Sequence, residues 1–164
     1  MVDKLAFFDN YYASMSDILP NIFVAYSSIG GNTELTVQKL VQTIDNRANV
    51  VVKRVDVSTA QDLEGADCII LASPTYGQGS LEVHFETFLK QIKSSIESKK
   101  FAVIGLGDSK YYPEYLTESG AILEEFVRNN GGQLVQPALR IGMPPIKFIE
   151  KLVPRWTDNL LSKL

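Results

Sequence analysis

Apolar positions along the chain fall into two alternating rhythms: short continuous runs, and longer stretches in which they recur every three or four residues. Ile22 to Tyr26 (IFVAY) is the first short run, and it ends at a Ser/Gly cluster. Asn32 to Ile44 follows with Leu35, Leu40, Val41 and Ile44 at helical spacing, which predicts an amphipathic helix. Val50 to Val57 predicts a second strand, and Lys53 and Arg54 in its interior place it at a sheet edge. Asp67 to Ser73 (DCIILAS) and Phe101 to Leu106 (FAVIGL) are continuous and apolar, as strands buried on both faces are. Between them, Glu82 to Ile96 predicts a helix through Val83, Phe85, Phe88, Leu89 and Ile92. Glu114 to Asn130 predicts another through Ile122, Leu123, Phe126 and Val127, stopped by Gly131-Gly132. Gln133 to Ile141 is a last strand, bent or interrupted at Pro137. Pro145 to Leu164 closes the chain as a helix with Phe148, Ile149, Leu152, Trp156 and Leu160.

Five strands alternating with helices predict an α/β domain whose parallel sheet is covered on both faces. Right-handed crossovers leave only a few doubly wound arrangements. In such sheets ligands bind beyond the carboxyl ends of the strands, where the winding reverses. The loops that follow the strands therefore carry the chemistry.

The loop after the first strand is Ser27-Ser28-Ile29-Gly30-Gly31-Asn32-Thr33, running directly into a helix. Small residues let backbone amides turn inward, and the helix start adds partial positive charge, so the loop suits a phosphate. It has neither the GK[ST] of a Walker loop nor the GxGxxG of a dinucleotide site. An ordinary helix N-cap, with Ser or Asn capping, is the competing reading. After the third strand comes Ser73-Pro74-Thr75-Tyr76-Gly77-Gln78-Gly79-Ser80, where Tyr76 offers a flat face to a planar ring and Gly77 lets the next peptide adopt two orientations. A tyrosine capping the core is the plainer alternative there. The loop after the fourth strand, Gly107-Asp108-Ser109-Lys110-Tyr111-Tyr112-Pro113-Glu114-Tyr115, brings further aromatic groups. Taken together, the three loops describe a site for a flat ring joined by a tail to a phosphate.

Composition narrows the class. The chain's 164 residues fit one domain, and 45% hydrophobic residues are too many for a disordered chain. No apolar run approaches the roughly 20 residues of a membrane span. A net charge of -3 argues against a nucleic-acid surface. The only cysteine, Cys68, excludes an internal disulfide, and its place in a buried strand predicts a core residue. The only histidine, His84, has no catalytic partner in sequence. The first twenty residues have no basic region or uninterrupted apolar core, unlike a secretory signal, so a cytoplasmic protein is expected.

YSSIGGNTE, SPTYGQGSLEVHFETFL and GLGDSKYYPEYLTESGAILEEF, in this order and each after a strand, resemble the three motifs of the flavodoxins. The likeness runs from Asn21 to the C-terminus, and the absence of a long insertion in the last strand resembles the short-chain branch. It implies a five-stranded sheet in the order 2-1-3-4-5 and a non-covalent FMN. Its phosphate would lie on Ser28, Gly30, Gly31, Asn32 and Thr33, beside Ile29, with Pro74 and Thr75 nearby. Tyr76 and Tyr112 would flank the ring, with Gly107, Asp108, Tyr115 and Thr117 at its polar edge. The Gly77–Gln78 peptide would supply a carbonyl that turns to the reduced ring. The resemblance further implies a monomeric carrier of low-potential single electrons between a flavodoxin reductase, or similar donor, and an acceptor enzyme, not itself an enzyme.

Two departures stand out: Ile29 and Gly30 replace hydroxyl-bearing residues, and Gln78, Gly79 and Ser80 replace acidic ones. A flavoenzyme of related fold, such as a quinone reductase or a ribonucleotide-reductase activator, is a rival reading, and a cofactor-free module is another. A phosphorelay receiver is excluded, since Ser27-Ser28 and Ser73-Pro74 stand where its acidic groups belong.

Met1 to Pro20 precede the resemblance. Leu5, Phe8, Tyr12, Met15 and Leu19 recur at helical spacing, which predicts an amphipathic extension packed on the domain or docking a partner.

Overall fold

The computed structural model describes residues 18–107, 118–142 and 145–164. Its strands are β1 (Asn21–Tyr26), β2 (Asn49–Arg54), β3 (Cys68–Pro74), β4 (Lys100–Leu106), β5 (Gln133–Leu134) and β6 (Leu139–Ile141). The helices are α1 (Asn32–Ile44), α2 (Val83–Ile92), α3 (Glu118–Asn129) and α4 (Pro145–Leu161). The sheet runs β2-β1-β3-β4-β5, all pairs parallel, with β6 also on β4.

Alternation along the strands divides the core. Cys68, Ile70 and Ala72 of β3 and Ala102, Ile104 and Leu106 of β4 face α1 and α4, meeting Val37, Leu40, Ile149 and Val153. Ile69, Leu71, Phe101 and Val103 face α2 and α3, meeting Phe85, Phe88, Leu123 and Val127. Phe85 and Phe88 meet edge to face with centroids 6.4 Å apart, a geometry that contributes about 0.5–1.5 kcal/mol beyond burial.

The structure refines several expectations. β2 is an edge strand but stops at Arg54; Val55–Val57 form a 3-10 turn, because Ser58 N turns back onto Val55 O. α2 ends at Ile92, and Lys93–Ser95 continue as a 3-10 turn. On α1 the buried face is Thr33, Thr36, Val37, Leu40 and Ile44, so Leu35 and Val41 point to solvent although their spacing placed them inward. Two threonines replace them, since α1 presents this face to the neighbouring β-strands and α4.

The last strand is interrupted, over residues 135–138. Its pairing offset against β4 grows by two residues across the break. The freed backbone groups are taken up by side chains: Ala138 N donates to Glu124 Oε1 at 2.9 Å, and Trp156 Nε1 donates to Pro137 O at 3.1 Å. Gln136 Nε2 donates to Trp156 O at 3.1 Å. So short a break leaves no space for a long insertion.

The helix expected over Met1 to Pro20 falls almost wholly outside the described residues. Ile18 to Pro20, which are described, are not helical, so Leu19 is not part of a helical stripe; it and Ile18 are exposed.

Candidate functional site

The carboxyl ends of β1, β3 and β4 lie side by side, and residues just beyond them, as far as Gly107 after β4, line a common cavity. Gly31, with φ of 86°, is the N-cap of α1 and has no side chain with which to cap it. The competing reading of a capped helix holds only for Ser28, whose Oγ serves one N–H, that of Glu34. Leu35 N donates to Gly31 O at 3.0 Å, and Glu34 N to Ser28 Oγ at 3.4 Å. The N–H groups of Asn32 and Thr33 have no partner within the helix, by the geometry of any helix start. A Cβ at Gly30 or Gly31 would meet nothing within 4 Å, so the space beside these two glycines is open.

Opposite them stand Pro74, Thr75, Leu106 and Gly107, which with Gly30, Asn32 and Thr33 enclose a cavity of about 100 Å³. Amides and hydroxyls around a space of this size, at a helix start, suit a phosphate group. The residues fit such a group on one side of FMN without any cationic side chain among those lining the cavity.

Thr75 is held firmly. Its N donates to Leu106 O at 2.6 Å, its Oγ1 lies 3.2 Å from Ser119 Oγ, and Ser119 N donates to it at 3.2 Å. Ser119 Oγ in turn donates to Ser73 O at 3.0 Å. Ser119 was not singled out in the sequence, because nothing along the chain marks its meeting with Thr75 and Ser73.

Tyr76 to Ser80 form a tight hairpin: Tyr76 N donates to Ser80 O at 2.8 Å and Ser80 N to Tyr76 O at 2.9 Å. Gly77 and Gly79 turn it with φ of 50° and 85°. The hairpin lifts Tyr76 to the rim, 53% exposed, with its ring available to stack. On its flank toward β2 lies a larger cleft of about 440 Å³, which includes Ser28, Ile29 and Arg54. Arg54 lies over the Tyr26 ring, 5.8 Å from its centroid, and pairs with Asp56 at 3.3 Å. Ile29 is exposed and offers an apolar contact at the loop's crest.

The structure thus brings Ser28, Ile29, Gly30, Gly31, Asn32, Thr33, Pro74, Thr75, Tyr76, Gly77 and Gly107 to one end of the sheet. Asp108, Tyr112, Tyr115 and Thr117 lie outside the described residues. Neither of two other candidates lines the phosphate-sized cavity. Cys68 is fully buried, and burial pushes its thiol up to about 12, far from a reactive thiolate. His84 is exposed at the start of α2; its Nε2 is 3.9 Å from Glu82 Oε1, and its N donates to that cap at 3.1 Å.

This fold and this cavity define a class: a doubly wound α/β domain with an anion-sized socket at the end of its first strand beside an aromatic rim. The flavodoxin family model matches residues 24–151. A flavodoxin of Synechocystis is 32% identical over 120 residues, 71% of this chain and 69% of that one. The structure of oxidised Flavodoxin 2 from Bacillus cereus is 32% identical, with a TM-score of 0.78 over 88% of this chain and 99% of that one. A Fusobacterium nucleatum flavodoxin bound to flavin mononucleotide shares the fold, with a TM-score of 0.79 over 89% of this chain and 99% of its own, at 16% identity. The chain belongs to the flavodoxin family, in its short-chain form; flavodoxins are electron carriers rather than enzymes. Among the described residues no helix is long and apolar enough to cross a membrane.

Proposed function

We propose that this chain carries low-potential single electrons on a non-covalently bound FMN, between a reductase or similar donor and acceptor proteins, as a cytoplasmic monomer. The start of α1 behind Gly31, facing Thr75 across a phosphate-sized cavity, is the observation that carries this reading. FMN supplies the redox chemistry, taking up one or two electrons on its ring. The protein supplies the setting. The amides of Asn32 and Thr33 and the hydroxyls of Ser28, Thr33 and Thr75 hold the phosphate, and the helix start adds favourable charge.

Tyr76 covers one ring face and, from its sequence position, Tyr112 the other. Gly107, Asp108, Tyr115 and Thr117 meet the polar edge. The Gly77 carbonyl would offer a hydrogen-bond acceptor to the ring's edge, a turn that Gly77's permissive backbone allows at little cost. Two aromatic faces would disfavour negative charge on the ring between them, which favours giving up an electron. With Gln78, Gly79 and Ser80 neutral, that penalty is smaller here than beside an acidic loop.

Stepwise reduction of the FMN-loaded protein under an optical cell tests the reading. Two separated one-electron potentials, with slow turnover of quinones by NAD(P)H in the absence of a partner protein, are expected. A single two-electron wave with rapid partner-free turnover would instead identify a flavoenzyme, and failure to bind FMN would leave a cofactor-free module.

A further inference from the structure

We propose that Ser119 tunes the phosphate socket: its Oγ accepts the Thr75 hydroxyl proton when no anion is bound, and that proton turns to the phosphate when one enters. The inference rests on the reading of the cavity as a phosphate socket.

Hydrogen-bond counting leads to it. A serine hydroxyl has one proton and two acceptor sites. The Ser119 proton is committed to Ser73 O at 3.0 Å. Across the 3.2 Å between Thr75 Oγ1 and Ser119 Oγ the donor must therefore be Thr75. Ser119 N–H meanwhile donates to Thr75 Oγ1 at 3.2 Å. Ser119 and Ser73 are both fully buried, so bulk water does not compete for these groups.

With its proton on Ser119, Thr75 presents only a lone pair to the cavity it lines, and a lone pair repels a phosphate oxygen. Rotation about the Thr75 Cβ–Oγ1 bond moves the proton to the anion while the Ser119 N–H bond stays in place. That bond, from the first turn of α3, also polarises the hydroxyl and improves it as a donor. The cost of binding is the bond that Ser119 Oγ gives up. Because Ile29 and Gly30 bring no hydroxyl to the socket, Thr75 bears a larger share of anion recognition in this chain.

Ser119 is a positioning residue, and phosphate discrimination is its readout. The full chain and its variants are titrated with FMN and with riboflavin, which lacks the phosphate. Ser119→Ala keeps the backbone donor but removes the competing acceptor. It is expected to lower the FMN dissociation constant by about two- to tenfold, the factor one neutral hydrogen bond contributes, and to leave riboflavin unchanged. In a Thr75→Val background the same substitution should change neither. Ser119→Cys, a weaker acceptor of similar shape, should shift FMN in the same direction by less, and serves if the alanine variant does not fold. Unchanged or weakened FMN binding in Ser119→Ala, an equal shift for riboflavin, or an undiminished effect in the Thr75→Val background overturns the role of Ser119. If the unmodified chain binds FMN no more tightly than riboflavin, the socket reading itself fails, independently of Ser119.

Discussion

A Cβ placed on Gly105 would stand 2.5 Å from the backbone nitrogen of Gly120 and 2.6 Å from its Cα, so β4 and α3 touch main chain to main chain. The contact is one-sided. A Cβ on Gly120 would meet Arg140 Cγ and Nε at 3.4 Å and Gly105 Cα at 3.6 Å, of which the first two belong to a flexible side chain. Gly105→Ala must push the first turn of α3, and Ser119 with it, off the sheet. It should cost about 1–3 kcal/mol in urea unfolding, as overpacking does, and weaken FMN binding. Gly120→Ala should be neutral or stabilising by up to about 1 kcal/mol, because alanine is the better helix former. Equal losses for the two would show that the close approach is not where the structure puts it.

Removing the Tyr76 ring should weaken FMN binding by about 1–3 kcal/mol, the scale of one aromatic stacked on a planar ring. Tyr76→Phe should retain most of the affinity. Tyr112→Ala should match Tyr76→Ala, and Tyr111→Ala should do much less. Fluorescence titration measures all four, and equal effects at positions 111 and 112 would displace the second flanking residue by one.

Gln78 is exposed at the tip of the Tyr76–Ser80 hairpin. A carboxylate there would stand near the ring and oppose its second negative charge. Gln78→Glu should lower the second reduction potential by a few tens of millivolts, the scale of one charge acting through a largely aqueous path. Added salt should shrink the difference. A potential that stays put or rises sinks the electrostatic account.

Away from the site, Lys53 Nζ donates to Asp62 Oδ1 at 2.5 Å, and this bond foremost holds the Asp62 carboxyl below its ordinary 3.8. Thr59 N also donates to Asp62 Oδ2 at 2.8 Å. A carboxyl depressed on folding adds stability that is complete above its unfolded value and is lost as pH falls through the folded one. Asp62→Asn, which keeps an acceptor for Thr59 N, should therefore lower the melting temperature modestly at pH 7. The difference should fade as pH drops below 3.8. Lys53 is partly exposed, so the effect stays within the small range of surface pairs. A gap between the two proteins that persists at pH 2 would contradict this.

Much of the site was legible because its parts are local. Gly30-Gly31-Asn32-Thr33 announces an open helix start by its own composition, and Tyr76 set between Thr75 and Gly77 announces a turn. Neither depends on distant residues. Helix faces were less legible. Leu35 and Val41 satisfy the helical period, yet Thr33 and Thr36 take the inward places. Period shows that a face exists, whereas the neighbouring α4 and sheet decide its angle.

By itself the sequence determined the alternation of strands and helices, the edge position of β2, the break near Pro137 and the glycine-rich loop before α1, since each follows from contiguous residues. Only the tertiary structure decided that Gly105 admits no side chain and that Glu124 caps the broken last strand through Ala138 N. It alone brought Ser119 onto Thr75 across 44 residues of chain. These are meetings of main chain and buried polar groups from separate elements. Their partners are chosen by how the elements pack, and no pattern along the chain records that choice.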